Sequence, residues 1–167
     1  VLIGHEQAAN RRYAVLVQRR VVVVQLPAIL GIARADLADR ARLEQVMREY
    51  AVTAVIHFAA YAYVGESMDD PGLYFRNNVV GGLNLVSAMT EAGVDRIIFS
   101  STCATYGEPE IVPITEDEKQ SPINPYGFTK LVMEHALADY AVEASAAQTV
   151  RLFAADDVRD EFQKYYR

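Results

Sequence analysis

Apolar and polar positions along this chain follow two rhythms. Short apolar runs, rich in β-branched residues, occupy positions 13–17, 21–26, 53–59, 96–101 and 149–153. Longer stretches with apolar residues at helical spacing lie between the later runs. The first rhythm predicts strands covered on both faces, the second amphipathic helices. Asp39 stands as an N-cap before Leu43, Val46, Met47 and Tyr50, which recur at intervals of three and four. Positions 73–92 read as a second helix, with Gly93 as its C-cap and Gly81–Gly82 a weak point inside it. Positions 126–140 read as a third, opened by Asn124–Pro125 and turning Leu131, His135, Leu137 and Ala138 inward. Positions 156–166 read as a short last helix. Strands alternating with helices specify parallel βαβ units. The pattern therefore predicts an α/β fold, a doubly wound open parallel sheet of about five strands.

The 167 residues amount to one domain. Apolar residues make up 51% and charged residues 23%, a balance that can bury a core and excludes a disordered tail. A net charge of −6 argues against a nucleic-acid partner. No apolar run reaches the length of a membrane span, and the start lacks the order of features that marks a secretory leader. Cys103 is the single cysteine. It excludes an internal disulfide and a cysteine-based zinc site, and it fits a reducing, cytoplasmic setting. His5, His57 and His135 are scattered, so no metal site is expected. His57, between Ile56 and Phe58, reads as a core histidine bonded to a backbone carbonyl. The pairs Arg11–Arg12 and Arg19–Arg20 and the run Glu116-Asp117-Glu118 read as solvated surface.

Chemistry concentrates in and after the long loop 102–124, which holds Gly107, Pro109, Pro113 and Pro122. Loops of this length inside a compact domain usually serve function. Tyr126 and Lys130 are four apart and share one helix face. A phenol is a poor base near neutral pH, and a nearby ammonium favours its phenolate. Such a pair is a tunable acid/base, although chance alone would place one in about one such chain in five. The same spacing also serves as a plain surface pair. Ser100-Ser101-Thr102 ends a predicted buried strand, on the edge where open α/β sheets face ligands. These hydroxyls either face a ligand or simply close the strand and cap a turn.

The hydroxyl run followed by Tyr126-x-x-x-Lys130 resembles the extended short-chain dehydrogenase/reductase superfamily. Longer strings resemble its UDP-glucose 4-epimerase family, including the UDP-arabinose/UDP-xylose 4-epimerase branch. They are Val55-Ile-His-Phe-Ala-Ala60, Val64-Gly-Glu-Ser67, Asn77-Asn78-Val79, Phe99-Ser-Ser-Thr-Cys-Ala-Thr-Tyr-Gly107, Pro113-Ile-Thr-Glu-Asp117 and Asn124-Pro-Tyr-Gly127. They occur in family order across positions 33–153. The resemblance implies an isomerase that epimerises C4 of a UDP-sugar through a transient 4-keto intermediate, using tightly held NAD. It makes Tyr126 the base at the sugar 4-hydroxyl, with Lys130 tuning it and binding the nicotinamide ribose. It has Thr102 bond the sugar hydroxyl and help move its proton, so Thr102 and Tyr126 touch substrate. It sets Asp36 and Leu37 at the adenine. Phe58, Ala59, Ala60, Tyr61 and Ala62 would line the cofactor, with Asn78 and Phe153 also touching it. It further implies a homodimer through the 73–92 and 126–140 helices.

Departures from the family pattern bear on the reading. Gly4 and Gly31 are the only glycines before Gly65, so the glycine-rich turn that cradles a pyrophosphate is absent. Ala154 stands where the family has an asparagine for the nucleotide sugar, and Ala62 where epimerases often carry lysine. The expectation is a single, partial NAD-binding domain over 1–167, without the intact first βα turn and without the family's C-terminal substrate domain. A non-catalytic remnant of the fold, or a related reductase or dehydratase, stays open beside the epimerase reading. Dehydratases usually place acidic residues where this chain has Cys103 and Ala104.

Overall fold

A computed structural model of the chain describes residues 13–18, 21–25, 30–110, 112–143 and 151–153, with side chains over 33–110 and 112–140. Six strands form one sheet: β1 (Tyr13–Gln18), β2 (Val21–Gln25), β3 (Leu30–Ala33), β4 (Ala54–His57), β5 (Ile97–Ser100) and β6 (Arg151–Phe153), in the order β3-β2-β1-β4-β5-β6. This is the doubly wound order, in which the chain reverses its direction of travel across the sheet between β1 and β4. β1, β4, β5 and β6 pair in parallel. β2 is antiparallel to both β1 and β3.

Two corrections follow to the expected five parallel strands. The sheet has a sixth strand, β3, four residues too short to stand out in the sequence pattern. The second is mixed direction, because β2 runs against the rest. Only Arg19 and Arg20 separate β1 from β2. A parallel return needs a crossover of a dozen or more residues, so two residues dictate a hairpin.

Helices fill the connections from β3 onward. α1 (Arg40–Glu49) starts at Asp39, whose side chain accepts from the Arg42 N–H at 3.0 Å, and it buries Leu43, Val46 and Met47. The stretch expected as loop before position 71 contains α2 (Val64–Asp69), too short to show a helical period. The expected 73–92 helix has three parts: α3 (Pro71–Tyr74), a π-helical segment (Phe75–Val80) and α4 (Gly81–Ala92). Gly93 closes α4 in the left-handed conformation with φ 72°, which costs glycine little. α5 (Pro125–Glu143) is the long final helix of the described residues.

α4 packs between α1 and α5. Leu43, Val46 and Met47 meet Leu85, Val86, Met89 and Val55 in one buried cluster that also takes in Phe99, Met133 and Leu137. The glycines read as a weak point have a packing reason. A Cβ on Gly81 would sit 2.9 Å from Leu37 Cβ, and one on Gly82 2.7 Å from Met133 Cε. The pair lets α4 press against the loop after β3 on one side and α5 on the other.

The inward face of α5 also differs from the expected stripe. Leu137 is buried, Leu131 half-buried, and His135 and Ala138 exposed. Thr129, Lys130, Met133 and Leu137 face inward instead. The buried lysine sits at the spacing of that apolar row, so the row includes a charge. The helix expected at 156–166, the side chain of Phe153, and Ala154 lie outside the described residues.

Candidate functional site

Three segments meet at the carboxyl ends of β4 and β5: the loop after β4, the hydroxyl run after β5 and the start of α5. Asn124 and Pro125 set that start. The Asn124 side chain accepts from the Gly127 N–H at 2.8 Å and its carbonyl from the Phe128 N–H at 3.0 Å, satisfying donors that a helix N-terminus leaves open. The Tyr126 N–H is taken from elsewhere in the chain. Ser67, fully buried, accepts it at 3.2 Å and donates to the Val64 carbonyl at 2.6 Å. Gly127 then lets α5 close on the turn after β5, since a Cβ there would meet the Ala104 carbonyl oxygen at 2.4 Å.

Lys130 is 4% exposed. Its Nζ donates to the Ser100 carbonyl at 2.7 Å and lies 4.7 Å from the centre of the Phe99 ring. Burial lowers its pKa to about 8, against an opposing pull from the Glu134 carboxylate. Lys130 is thereby tied to the strand end that carries the hydroxyls. Tyr126, half-buried, makes its contacts through the backbone and through its ring, which meets Tyr74 edge-on at 6.4 Å. The Tyr74 hydroxyl lies 2.7 Å from both the Tyr63 carbonyl and Glu66 Oε2, and accepts from the Tyr63 N–H at 3.0 Å. Burial, then the Glu66 carboxylate, pushes its pKa up to about 12, so Tyr74 supports the site as a neutral phenol.

Thr102 closes β5 and caps a 3-10 turn (Cys103–Thr105), its hydroxyl accepting from the Ala104 N–H at 3.2 Å. The capping reading of this run is thus seen at Thr102, which stands two residues from the carbonyl that holds Lys130. Ser101 reaches away from it and donates to Glu134 Oε1. Gln120 donates to Glu134 Oε2 at 2.7 Å and to Thr105 Oγ1 at 3.2 Å. These side chains, with Thr102, Tyr106, Glu116 and Glu118, line a cleft of about 370 Å³. Two of the three acidic residues read as solvated surface thus face the cleft. Sequence reasoning passed over Ser67, Gln120 and Glu134. Only the Val64-Gly-Glu-Ser67 string offered a signal for any of them.

Asn78 is buried in the π-helical segment and clamps the loop after β4. It accepts from the Tyr61 N–H at 2.9 Å, and its amide donates to the Tyr61 carbonyl at 3.0 Å and to Thr129 Oγ1 at 3.2 Å. In that loop Ala59 is buried, Ala60 and Tyr61 half-buried, and Phe58 and Ala62 exposed. Asp36 is half-buried, its carboxylate accepting from the Ala38 N–H at 3.0 Å, while Leu37 is buried and its carbonyl accepts from Asn84. His57 is 3% exposed, on β4 beside Phe99. It is a core residue, as expected, but its Nδ1 has no hydrogen-bond partner among the described residues. Burial, then Lys130, lowers its pKa to about 3, so it stays neutral.

A doubly wound sheet with a tyrosine and a buried lysine one turn apart, beside a hydroxyl-bearing strand end, defines a dinucleotide-type α/β domain. A profile of the NAD dependent epimerase/dehydratase family matches residues 5–155. The chain belongs to that family. It is 51% identical over 109 residues to the UDP-glucose 4-epimerase of Rhizobium meliloti (strain 1021), covering 65% of this chain and 33% of that protein. It is 45% identical over 121 residues to UDP-arabinose 4-epimerase 1 of Arabidopsis thaliana, covering 72% and 29%. Among solved structures, that of UDP-glucose 4-epimerase from Brucella ovis in complex with NAD superposes with a TM-score of 0.67 at 54% identity, covering 73% of this chain and 36% of that one. The chain thus spans about a third of the length of the curated relatives it matches. Among the described residues no helix is long and apolar enough to cross a membrane.

Proposed function

We propose that this domain carries the acid/base and NAD-holding part of a UDP-sugar 4-epimerase, the UDP-glucose/UDP-galactose type of isomerase. One observation carries the reading: a buried Lys130 tied to the strand end at Ser100, one turn after Tyr126 and two residues from Thr102. The residues present fit a nicotinamide nucleotide. An ammonium has three donors, and Lys130 directs one at Ser100, so others suit a ribose diol. In the loop Phe58–Ala62, Ala59, Ala60 and Ala62 would leave room for the cofactor at the carboxyl end of β4, and Asp36 and Leu37, after β3, would meet the adenine. Asn78 would fix that loop, and Phe153 would face the cofactor from β6.

When bound, NAD supplies a reversible hydride acceptor for C4 of the sugar, which passes through a 4-keto stage. The chain's own residues manage the proton. Tyr126 takes it from the 4-hydroxyl and returns it, Lys130 supplies the local positive charge, and Thr102 holds the sugar hydroxyl. Exposed rings and apolar side chains on the helices support a two-fold partner. Phe75 and Phe128 lie 6.0 Å apart and are 37% and 47% exposed, with Val80 and Tyr140 also exposed on the helices over 73–92 and 126–140. We assign a homodimer through those faces and a cytoplasmic setting.

The test is conversion of UDP-galactose to UDP-glucose with added NAD, by the chain and by Tyr126→Phe. Loss of turnover in the variant, at unchanged melting temperature, is expected; equal turnover removes Tyr126 as the base. A second reading, a scaffold that binds no sugar nucleotide, is favoured by the missing glycine-rich turn. It requires no turnover by either protein and no stabilisation by NAD.

A further inference from the structure

The Glu134 carboxylate stands apart from the Tyr126–Lys130–Thr102 set, yet three separate pieces of the site converge on it. Ser101, next to the capping threonine, donates to one oxygen. Gln120, from the far end of the long loop, donates to the other at 2.7 Å and at the same time reaches Thr105 in the 3-10 turn. Glu134 itself sits one turn beyond Lys130 on α5, the spacing at which side chains on a helix are neighbours. The carboxylate therefore fastens the hydroxyl-bearing strand end and the loop to the helix that carries the acid/base pair.

We propose that Glu134 is a positioning residue that sets a negative charge one helical turn from Lys130 and clips the Ser101–Thr105 turn onto α5. The need for one is plain from the surroundings. Lys130 is nearly sealed from water, and desolvation works against its charge. Its other close neighbours offer little compensation. The Ser100 carbonyl and the Phe99 ring are dipolar or quadrupolar partners, not anions. His57 faces it from β4 as a neutral ring. Tyr126 lies a turn earlier on the same helix, and Glu66 is engaged with Tyr74 beside it. Across the cleft Tyr106, Glu116 and Glu118 line the same space as Glu134, and burial with Glu134 and Glu116 raises the Tyr106 pKa, keeping it neutral. Among the described residues, the Glu134 carboxylate, one turn along α5, opposes the effect of burial on Lys130.

The proposal gains its meaning from the reading of Lys130 as part of the acid/base pair, but its test needs neither cofactor nor substrate. The measurement is acetylation of Lys130 by acetic anhydride as a function of pH, read by peptide mass, with exposed Lys119 as internal reference. In the unaltered chain the Lys130 midpoint is expected near pH 8. Glu134→Gln removes the charge and should lower that midpoint by roughly half a pH unit or more. Glu134→Asp keeps the charge and draws it back by one methylene, so its shift should be smaller. Lys119 should not move in either. An unmoved Lys130 midpoint in both variants overturns the proposal, as does an equal shift in both, which marks a purely structural part. If Glu134→Gln fails to melt cooperatively, Glu134→Ala, which also removes the charge, takes its place, and an unmoved Lys130 midpoint there overturns the proposal. Loss of NAD binding or turnover in the parent chain would sink the functional reading without touching this result.

Discussion

Replacing His57 with leucine should make the protein less sensitive to acid. The ring is 3% exposed on β4, its Nδ1 has no partner among the described residues, and its pKa falls from 6.5 to about 3. In the unfolded chain the same ring takes a proton near pH 6.5, while in the folded chain it stays neutral down to about 3. Between those values the unfolded state binds more protons, so stability falls as pH falls. Each pH unit across the window is worth about 1.4 kcal/mol, so the step from pH 6.5 to 4 removes about 3 kcal/mol through this one group. Leucine has comparable bulk and no proton to bind. Urea unfolding followed by far-ultraviolet circular dichroism at pH 7 and pH 4 gives the comparison for both proteins. Other titrating groups are common to both and cancel in the difference. His57→Leu should therefore lose about 3 kcal/mol less than the parent between the two pH values. Equal losses would refute the idea that His57 is held neutral by burial beside Lys130.

Lys130→Met should raise stability by about 1–3 kcal/mol at pH 7, because burial of the ammonium costs the folded state below pH 8 and the cost fades as pH rises toward 10.5. The same variant should weaken NAD binding, and a lower melting temperature instead would contradict the burial argument. Gly127→Ala should destabilise by about 2 kcal/mol or more, since its Cβ meets a backbone carbonyl that cannot swing aside; an unchanged thermal melt would show that α5 can slide. Ser67→Ala leaves the Tyr126 N–H unpartnered and should cost about 1–2 kcal/mol in urea unfolding, with faster hydrogen exchange at the Tyr126 amide as its specific signature.

Local signals in the sequence were legible, and long-range ones were not. Asp39 and Gly93 cap helices where their chemistry placed them, and Tyr126 and Lys130 share one helix because four residues fix that relation. The hairpin of β1 and β2 was legible too, in a connection of two residues, but the expected alternation of strand and helix overrode it. β3 and α2 escaped because four and six residues show no period. On α5, positions 131, 135 and 138 form as good a helical row as 126, 130, 133 and 137. Only the tertiary packing against Gly82 decides between them. Ser67, Gln120 and Glu134 act through bonds spanning 59, 14 and 33 positions, which no local pattern encodes.

The central claim, that the crevice beside Tyr126 and Lys130 holds a nicotinamide nucleotide, is tested most directly by thermal melting with NAD added in steps to millimolar concentration. A ligand that binds only the folded state at about one hundred times its dissociation constant adds about 2.7 kcal/mol. The account predicts a melting temperature that climbs by several degrees in the parent chain and much less in Lys130→Met. A flat melting temperature across the titration, or the same climb in both proteins, would contradict it.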